Sequence, residues 1–262
     1  MMFIVQIILT VIMAITFGML MGIIGGGGGG IYVVVLLLLF HQNVKTAAMM
    51  ALVLSTITLS GATWQYWRKK QFRKDYFIML SILDIIGTLL GNVLLNHIDE
   101  NVLKIVICCV LVLSGLCSLF KVKSSGQNDN EISKAVKKLP ITAPIGLASG
   151  LVTGTTGLSG NTMVSSYLIG LLDFSPYLAV GTTTIVSFVG NFLSISVLCL
   201  SSYLFHVSSM YIDVETLLTL GIGSAVGSFF GAKLTAKIDR KVLTIILAAM
   251  AIFPGIYLLM KK

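Results

Sequence analysis

The chain has 262 residues, of which 56% are hydrophobic and 11% are charged. A water-soluble domain carries about 25% charged residues, so the composition excludes an ordinary soluble enzyme or binding module and predicts an all-α polytopic membrane protein. The formal net charge of +8 comes mainly from short basic stretches beside apolar segments. This pattern is typical of cytoplasmic loops and argues against nucleic acid as a partner.

Ten apolar segments follow one another along the chain. They are predicted at 2–24, 27–40, 44–67, 76–96, 101–120, 141–157, 159–172, 176–205, 215–236 and 241–260. A full span takes about 20 residues, so we expect about eight spans in a lipid bilayer. The first segment has no basic region before it and no clear cleavage site after it, and we interpret it as a retained helix rather than a signal peptide.

Two of these segments are too short to cross a membrane as ordinary helices. Segments 27–40 and 159–172 each hold 14 residues, which reach about 21 Å against roughly 30 Å of hydrocarbon. Each follows a glycine cluster. We therefore predict a glycine-broken or re-entrant helix at both places, where irregular backbone must be satisfied by protein or by a water-filled cavity.

The two halves of the chain repeat. A shift of 132 places Gly18, Gly22, Gly25 and Gly28 on Gly150, Gly154, Gly157 and Gly160, and a shift of 140 places Gly87 and Gly91 on Gly227 and Gly231. We divide the chain into a first transmembrane repeat (1–120), a cytoplasmic linker (121–139) and a second transmembrane repeat (140–262). Duplicated halves with interrupted segments at matching positions indicate a transporter and the location of its substrate.

Loop charges predict that the repeats are inverted. We place the basic stretch 68–75 on the cytoplasmic side. The span 76–96 then puts loop 97–101 outside, and the span 101–120 returns the chain to a Lys-rich linker on the cytoplasmic side. In the second half, the basic loop 237–241 falls inside. Loops 97–101 and 237–241 occupy equivalent positions with opposite charge bias, and five segments per half is an odd number. We therefore expect two inverted repeats of about five apolar segments each.

Six consecutive glycines, Gly25–Gly30, are unsuited to a helix. Each would weaken it by roughly 0.8–1.0 kcal/mol relative to Ala. We interpret the run as unwound backbone that leads into the next helix, where free amides and the helix dipole can bind an anion. A dinucleotide loop would need a soluble βαβ unit around it, which the apolar flanks do not fit.

The second glycine cluster adds hydroxyl and amide groups, which are uncharged donors for an oxyanion. The predicted substrate-binding residues of both clusters and the following Gly-Thr run are Gly25, Gly26, Gly27, Gly28, Thr155, Thr156, Gly157, Ser159, Gly160, Asn161 and Thr183. The alternative is that the hydroxyls cap helices or bond between helices, and that the regularly spaced glycines serve only close helix packing.

One acidic residue lies deep in a predicted span. Asp84 has no basic residue near it in sequence, and an ionisable group inside a membrane is a functional candidate by default. It is our candidate for carrying a coupling proton, with a hydrogen-bonded structural role as the alternative. The histidines and cysteines have no metal-ligand spacing, so we expect neither a metal nor a cofactor.

The order and duplication of these motifs resemble the TauE/SafE family of sulfite exporters. The second copy reads GLASGLVTGTTGLSG and then AVGTTTIVSF, and the first reads GMLMGIIGGGGGG and then AAMMALVLST. The resemblance covers essentially the whole chain. It implies a multi-pass plasma-membrane protein that moves sulfite, sulfonates or related small sulfur-containing anions. Ala48-Met49-Met50 departs from the family's Val-Gly-Thr element and alters the pocket that selects the substrate.

Two other functions remain as alternatives to a carrier. An anion channel of the same fold would carry large unitary currents instead of saturable transport. An intramembrane enzyme would need a nucleophile–base pair or metal ligands that converge on one site, and the sequence offers no such spacing, so we expect no enzyme. The oligomeric state leaves no signal in the sequence.

Overall fold

The structure is a computed structural model that describes residues 2–24, 28–38, 40–120, 142–170, 172, 174, 176–205 and 214–234. Within these residues all regular structure is helical. The helices are α1 (Met2–Ile24), α2 (Gly29–Leu38), α3 (Val44–Arg68), α4 (Lys74–His97), α5 (Glu100–Phe120), α6 (Ala143–Thr156), α7 (Asn161–Gly170), α8 (Pro176–Phe205) and α9 (Val214–Leu234). Nine predicted segments match helices to within two residues at each end. The linker 121–139, loop 237–241 and segment 241–260 lie outside the described residues.

Four helical stretches are long and apolar enough to cross a membrane. They are Val44–Arg68, Lys74–Leu95, Leu178–Val197 and Leu217–Leu234. Helices α2 and α7 have ten residues each, so each rises about 15 Å, half of the roughly 30 Å hydrocarbon thickness. As expected from their length, neither can cross a bilayer alone.

Both glycine clusters interrupt the helical backbone. Helix α6 ends at Thr156, and Gly157 follows with a φ of 68°, its N–H donating to the Thr153 carbonyl at 2.9 Å. Gly28 precedes α2 with a φ of 76°. Residues with side chains rarely adopt positive φ, because the β-carbon approaches the following carbonyl oxygen. Glycine therefore allows the backbone to turn at Gly28, before α2, and at Gly157, after α6.

The first helix of each half packs along the fourth helix of the other half, α1 along α9 and α6 along α4. Backbones touch in these pairs, because an added β-carbon would meet the backbone of the partner helix. This contact occurs at Gly18 with Ser224, Gly22 with Ser228, Gly150 with Asp84 and Gly154 with Thr88. These pairs are related by the repeat. Adding 132 to each glycine number and subtracting 140 from each serine number converts the first two pairs into the last two. The small-residue packing that the spaced glycines predicted is confirmed at these positions.

Helices α3 and α8 occupy equivalent positions in the two halves and run in opposite directions. The loop after α3 lies on the first turns of α8, where the Arg73 N–H donates to Thr182 Oγ1 at 3.0 Å. Further along, Asn191 of α8 donates from Nδ2 to Ser55 Oγ of α3 at 3.4 Å. The two helices are therefore antiparallel.

The outer faces are apolar and the inner faces carry the polar groups. Exposed apolar side chains recur every four residues on α4 and α9: Ile78, Ile82, Ile86 and Leu90, then Leu218, Ile222, Val226 and Phe230. On the opposite side of α4, Ser81, Asp84, Thr88 and Asn92 are buried. Lipid accepts an apolar outer surface and polar groups must find partners inside, so this arrangement suits an integral membrane protein.

Candidate substrate site at the helix breaks

The first turn of α2 meets the second helix break in the interior. A β-carbon placed on Gly29, in the first turn of α2, would meet the carbonyl oxygen of Gly157 and lie 2.8 Å from the Ser159 nitrogen. The first turn of α2 therefore rests directly on the segment between α6 and α7. The candidate Gly28 lies beside this contact. Gly25, Gly26 and Gly27 lie outside the described residues. Gly29 and Gly30, which the sequence analysis assigned to unwound backbone, instead form the first turn of α2.

Glycines in the second break are required by close backbone approach. At Gly157 a β-carbon would meet the Ala48 carbonyl of α3, and at Gly160 it would meet the backbone of Ser149 in α6. Gly157 also has a positive φ. These two candidates therefore hold the break against α3 and α6, which is a structural role whether or not their amides face a substrate.

Several polar groups of the second break already bond to one another. Thr153 Oγ1 accepts a hydrogen bond from the Gly160 N–H at 2.9 Å, and Thr156 Oγ1 accepts one from the Leu158 N–H at 3.2 Å. The Thr155 hydroxyl donates to the Leu151 carbonyl at 2.9 Å. The threonine side chains thus form hydrogen bonds with backbone groups of the break and of the end of α6. This is the alternative role, in which such hydroxyls cap helices.

Ser159 differs from these threonines. Its Oγ is buried and has no hydrogen-bond partner among the described residues. It stands two positions before Asn161, the buried first residue of α7. The N–H groups of a helix's first turn lack partners within the helix, and the helix dipole favours negative charge there. Ser159 and the start of α7 therefore provide a donor hydroxyl and a positive helix end at the place where α2 meets the second break.

The Gly-Thr run of α8 lies near the loop after α3. Thr182 Oγ1 accepts from the Arg73 N–H, and the Thr183 hydroxyl donates to the Ala179 carbonyl at 2.9 Å. Both side chains are buried. In the described residues no hydrogen bond connects Thr183 with either break. The structure instead brings Asn191 of α8 to Ser55 of α3; Asn191 was missed, although an amide within an apolar helix was a visible signal.

Asp84 is the one charged side chain that is buried among the described residues, with 2% of its surface exposed. Its Oδ1 accepts a hydrogen bond from Ser149 Oγ of α6 at 2.9 Å. Its Oδ2 has no partner in the described part of the chain and lies against Gly190 of α8, where a β-carbon would meet it. The predicted burial of this carboxyl group is confirmed, and half of its hydrogen-bonding capacity is unused.

Two of the described cationic side chains lie at helix ends. Lys233 is exposed at the end of α9, where its Nζ lies 4.4 Å from the centre of the Phe229 ring. The Arg73–Asp75 ion pair, at 3.6 Å, lies at the start of α4. No cluster of three or more His, Cys, Asp or Glu residues able to hold a metal occurs within the described ranges. The hydrogen-bond donors described at the second break are neutral.

Comparison with known proteins gives a family match and a similar curated protein. The chain matches the family described as sulfite exporter TauE/SafE over residues 10–258. It is 24% identical over 238 residues to a protein of Bacillus subtilis (strain 168) described as a probable membrane transporter protein YdhB, covering 90% of this chain and 93% of that protein. No solved structure matches the chain.

Proposed function

Because the chain belongs to the sulfite exporter TauE/SafE family, we propose that it transports a small sulfur-containing oxyanion, such as sulfite or a sulfonate, across the plasma membrane. The family and the polar interior of the helices support a membrane transporter rather than an enzyme. The observation that carries the proposal is the contact of the first turn of α2 with the second break, with Gly29 on Gly157 and Ser159.

The proposed binding site lies where α2 rests on the α6–α7 break. Ser159 Oγ is a buried hydroxyl without a partner among the described residues, and the start of α7 adds backbone N–H groups and the positive end of a helix dipole. Neutral donors suit a substrate that must leave again, since they hold an oxyanion without a permanent opposite charge. On the sequence pattern alone, we assign Gly25–Gly28 of the first repeat to the same site.

We infer that the two halves are inverted repeats with about eight spans in all. Reciprocal packing of α1 on α9 and α6 on α4 supports a two-fold relation between the halves. The opposite directions of the equivalent helices α3 and α8 support inversion. Inverted repeats place the substrate near mid-membrane, where the interrupted helices of both halves cross.

Asp84 is the proposed carrier of a coupling proton. It is enclosed between α4, α6 and α8, and one carboxylate oxygen has no hydrogen-bond donor in the described part of the chain. An intramembrane acid in such a setting is a common element of proton relays. Protonation and deprotonation at this position could then accompany each step of anion transport.

A transport assay on purified protein tests the proposed function. Proteoliposomes containing the protein are loaded with sulfite, thiosulfate, sulfate, taurine or sulfoacetate, and the efflux of each compound is followed against protein-free vesicles. We expect saturable flux of sulfite or a sulfonate and a rise in melting temperature with the same compound. Unsaturable flux with large single-molecule currents would instead support the anion channel, and no flux of any of the five would contradict the proposal.

A further inference from the structure

Two helix crossings occupy equivalent positions in the two halves. Helix α9 crosses α3, and α4 crosses α8. The shifts of 132 and 140 make Thr58 of α3 equivalent to Gly190 of α8, and Ser224 of α9 equivalent to Asp84 of α4. The same position in the fold therefore holds a threonine–serine pair in one half and a glycine–aspartate pair in the other.

Hydrogen bonds close the crossing of α3 and α9. Thr58 Oγ1 is hydrogen-bonded to Ser224 Oγ at 2.9 Å and to the Tyr32 hydroxyl of α2 at 2.6 Å. The Ser228 hydroxyl donates to the Thr58 carbonyl at 2.6 Å. These bonds tie α2, α3 and α9 together through small polar side chains that do not titrate near neutral pH.

The crossing of α4 and α8 lacks this set of bonds. Gly190 has no side chain, and the Asp84 carboxyl group occupies the space that the Thr58 side chain takes in the other crossing. Asp84 Oδ2, Asn191 Oδ1 and Ser194 Oγ are all buried and have no partner among the described residues. Buried polar atoms are normally bonded, so the unpartnered Asp84 Oδ2 held against Gly190 at this crossing indicates a functional position.

We propose that Gly190 is a positioning residue that allows Asp84 to bind and release the coupling proton on Oδ2 at the α4–α8 crossing, while the α3–α9 crossing is a fixed hydrogen-bonded joint. A proton from the aqueous phase adds to the carboxylate to form the carboxylic acid and is returned to water on release. The inference rests on the proposed function. It assigns the coupling of transport to protons to the α4–α8 crossing and not to the equivalent α3–α9 crossing.

No other titratable group lies close to Asp84 on the helices that enclose it. Helix α6 contains none. In α8 the titratable residues are Tyr177, Cys199 and Tyr203, each nine or more positions from Gly190. In α4 they are Lys74, Asp75, Tyr76 and His97, each eight or more positions from Asp84. A change in protonation at this crossing is therefore a change at Asp84.

The test compares sulfite flux from proteoliposomes with and without an imposed pH gradient. The measured quantity is the ratio of the two fluxes. For wild type we expect a ratio well above one. For Gly190→Ala the ratio should fall to one, because the added methyl group meets Asp84 Oδ2 and forces the carboxyl group out of position. Gly221→Ala is the matched control, since its β-carbon would lie 3.1 Å from the flexible end of Ile57, and it should keep the wild-type ratio.

A double variant separates coupling from folding. Asp84→Ser with Gly190→Thr copies the Ser224–Thr58 pair into the second crossing. We expect this protein to melt at or above the wild-type temperature and to have a flux ratio of one. A Gly190→Ala or double variant that keeps the wild-type ratio would overturn the inference, and so would wild-type flux that ignores the pH gradient.

A transport-independent measurement distinguishes failure of the inference from failure of the proposed function. Dicyclohexylcarbodiimide modifies protonated carboxyl groups in apolar surroundings, and the modified residue is identified by mass spectrometry. We expect pH-dependent modification of Asp84 in wild type and a several-fold change in Gly190→Ala. If no sulfur oxyanion is transported, the proposed function fails while this result still supports the proton site. Equal labelling of the two proteins would overturn it.

Discussion

The backbone of Gly150 lies directly against that of Asp84, so that a β-carbon on the glycine would meet the aspartate's carbonyl oxygen. The two residues are 66 positions apart and belong to different halves. The contact holds the helix that leads into the second break against the helix that carries the buried acid. The second break and the acid are therefore joined by one helix pair, α4 with α6.

Enlarging Gly154 in this pair should destabilise the protein. A Gly154→Leu side chain would meet the Thr88 carbonyl and force α4 and α6 apart. Overpacking costs about 1–3 kcal/mol in a well-packed core, and we expect a clear fall in melting temperature in detergent. Gly146→Ala is the control, because its β-carbon would lie 2.9 Å from the terminal Cδ2 of Leu80, which can rotate. Equal melting of both variants would contradict this packing.

Substituting Gly157 should affect stability as well as transport. Gly157→Ala places a β-carbon on a residue with a φ of 68° and against the Ala48 carbonyl. The left-handed conformation alone costs about 1–2 kcal/mol. We expect lower melting temperature and weak transport. Gly30→Ala, which would meet only the side chains of Leu111 and Leu158, should be milder. Wild-type stability of Gly157→Ala would show that the break rearranges freely.

Removing the free hydroxyl of the second break should weaken substrate binding. Ser159→Ala deletes a buried Oγ that has no described protein partner. Hydrogen bonds to charged groups contribute about 1.5–3 kcal/mol, so we expect the Kd for sulfite to rise about ten-fold or more, measured by calorimetry. Ser60→Ala, at an exposed serine that donates to Ile57, should leave the Kd unchanged. An unaltered Kd in Ser159→Ala would place the anion elsewhere.

Neutralising Asp84 should uncouple transport from the pH gradient. Asp84→Asn keeps the size of the side chain and can still bond to Ser149, but it cannot take up and release a proton. We expect the gradient-driven part of sulfite flux to disappear while sulfite binding, measured by thermal shift, stays close to wild type. Gradient-driven flux in Asp84→Asn would assign Asp84 a structural role.

Labelling of single added cysteines tests the membrane orientation. Lys69 and Asp99 are both exposed, in the loops after α3 and after α4. We expect Asp99→Cys to react with a membrane-impermeant maleimide on intact cells, and Lys69→Cys to react only after permeabilisation. Wild type measures the background from Cys109 and Cys199, which are exposed on helices. Labelling of Lys69→Cys in intact cells would reverse the proposed orientation.

Sequence by itself determined the helices and their interruptions. In lipid the backbone must satisfy its own hydrogen bonds, so a long apolar segment has to be helical, and nine predicted segments match helices to within two residues. The glycine clusters likewise predicted both breaks, because helix propensity is a local property. The burial of Asp84 followed from its position within an apolar segment.

Tertiary structure alone decided which segments meet. A glycine such as Gly18 or Gly150 predicts that another helix approaches closely, but it does not identify that helix. In the structure the first helix of each half packs on the fourth helix of the other half. The sequence also could not tell that Thr153 and Thr156 bond to amides of their own break while Ser159 does not. Nor could it place Gly190 on Asp84 Oδ2. Such contacts join residues far apart in the chain, and they depend on how whole helices cross rather than on the pattern within any one of them.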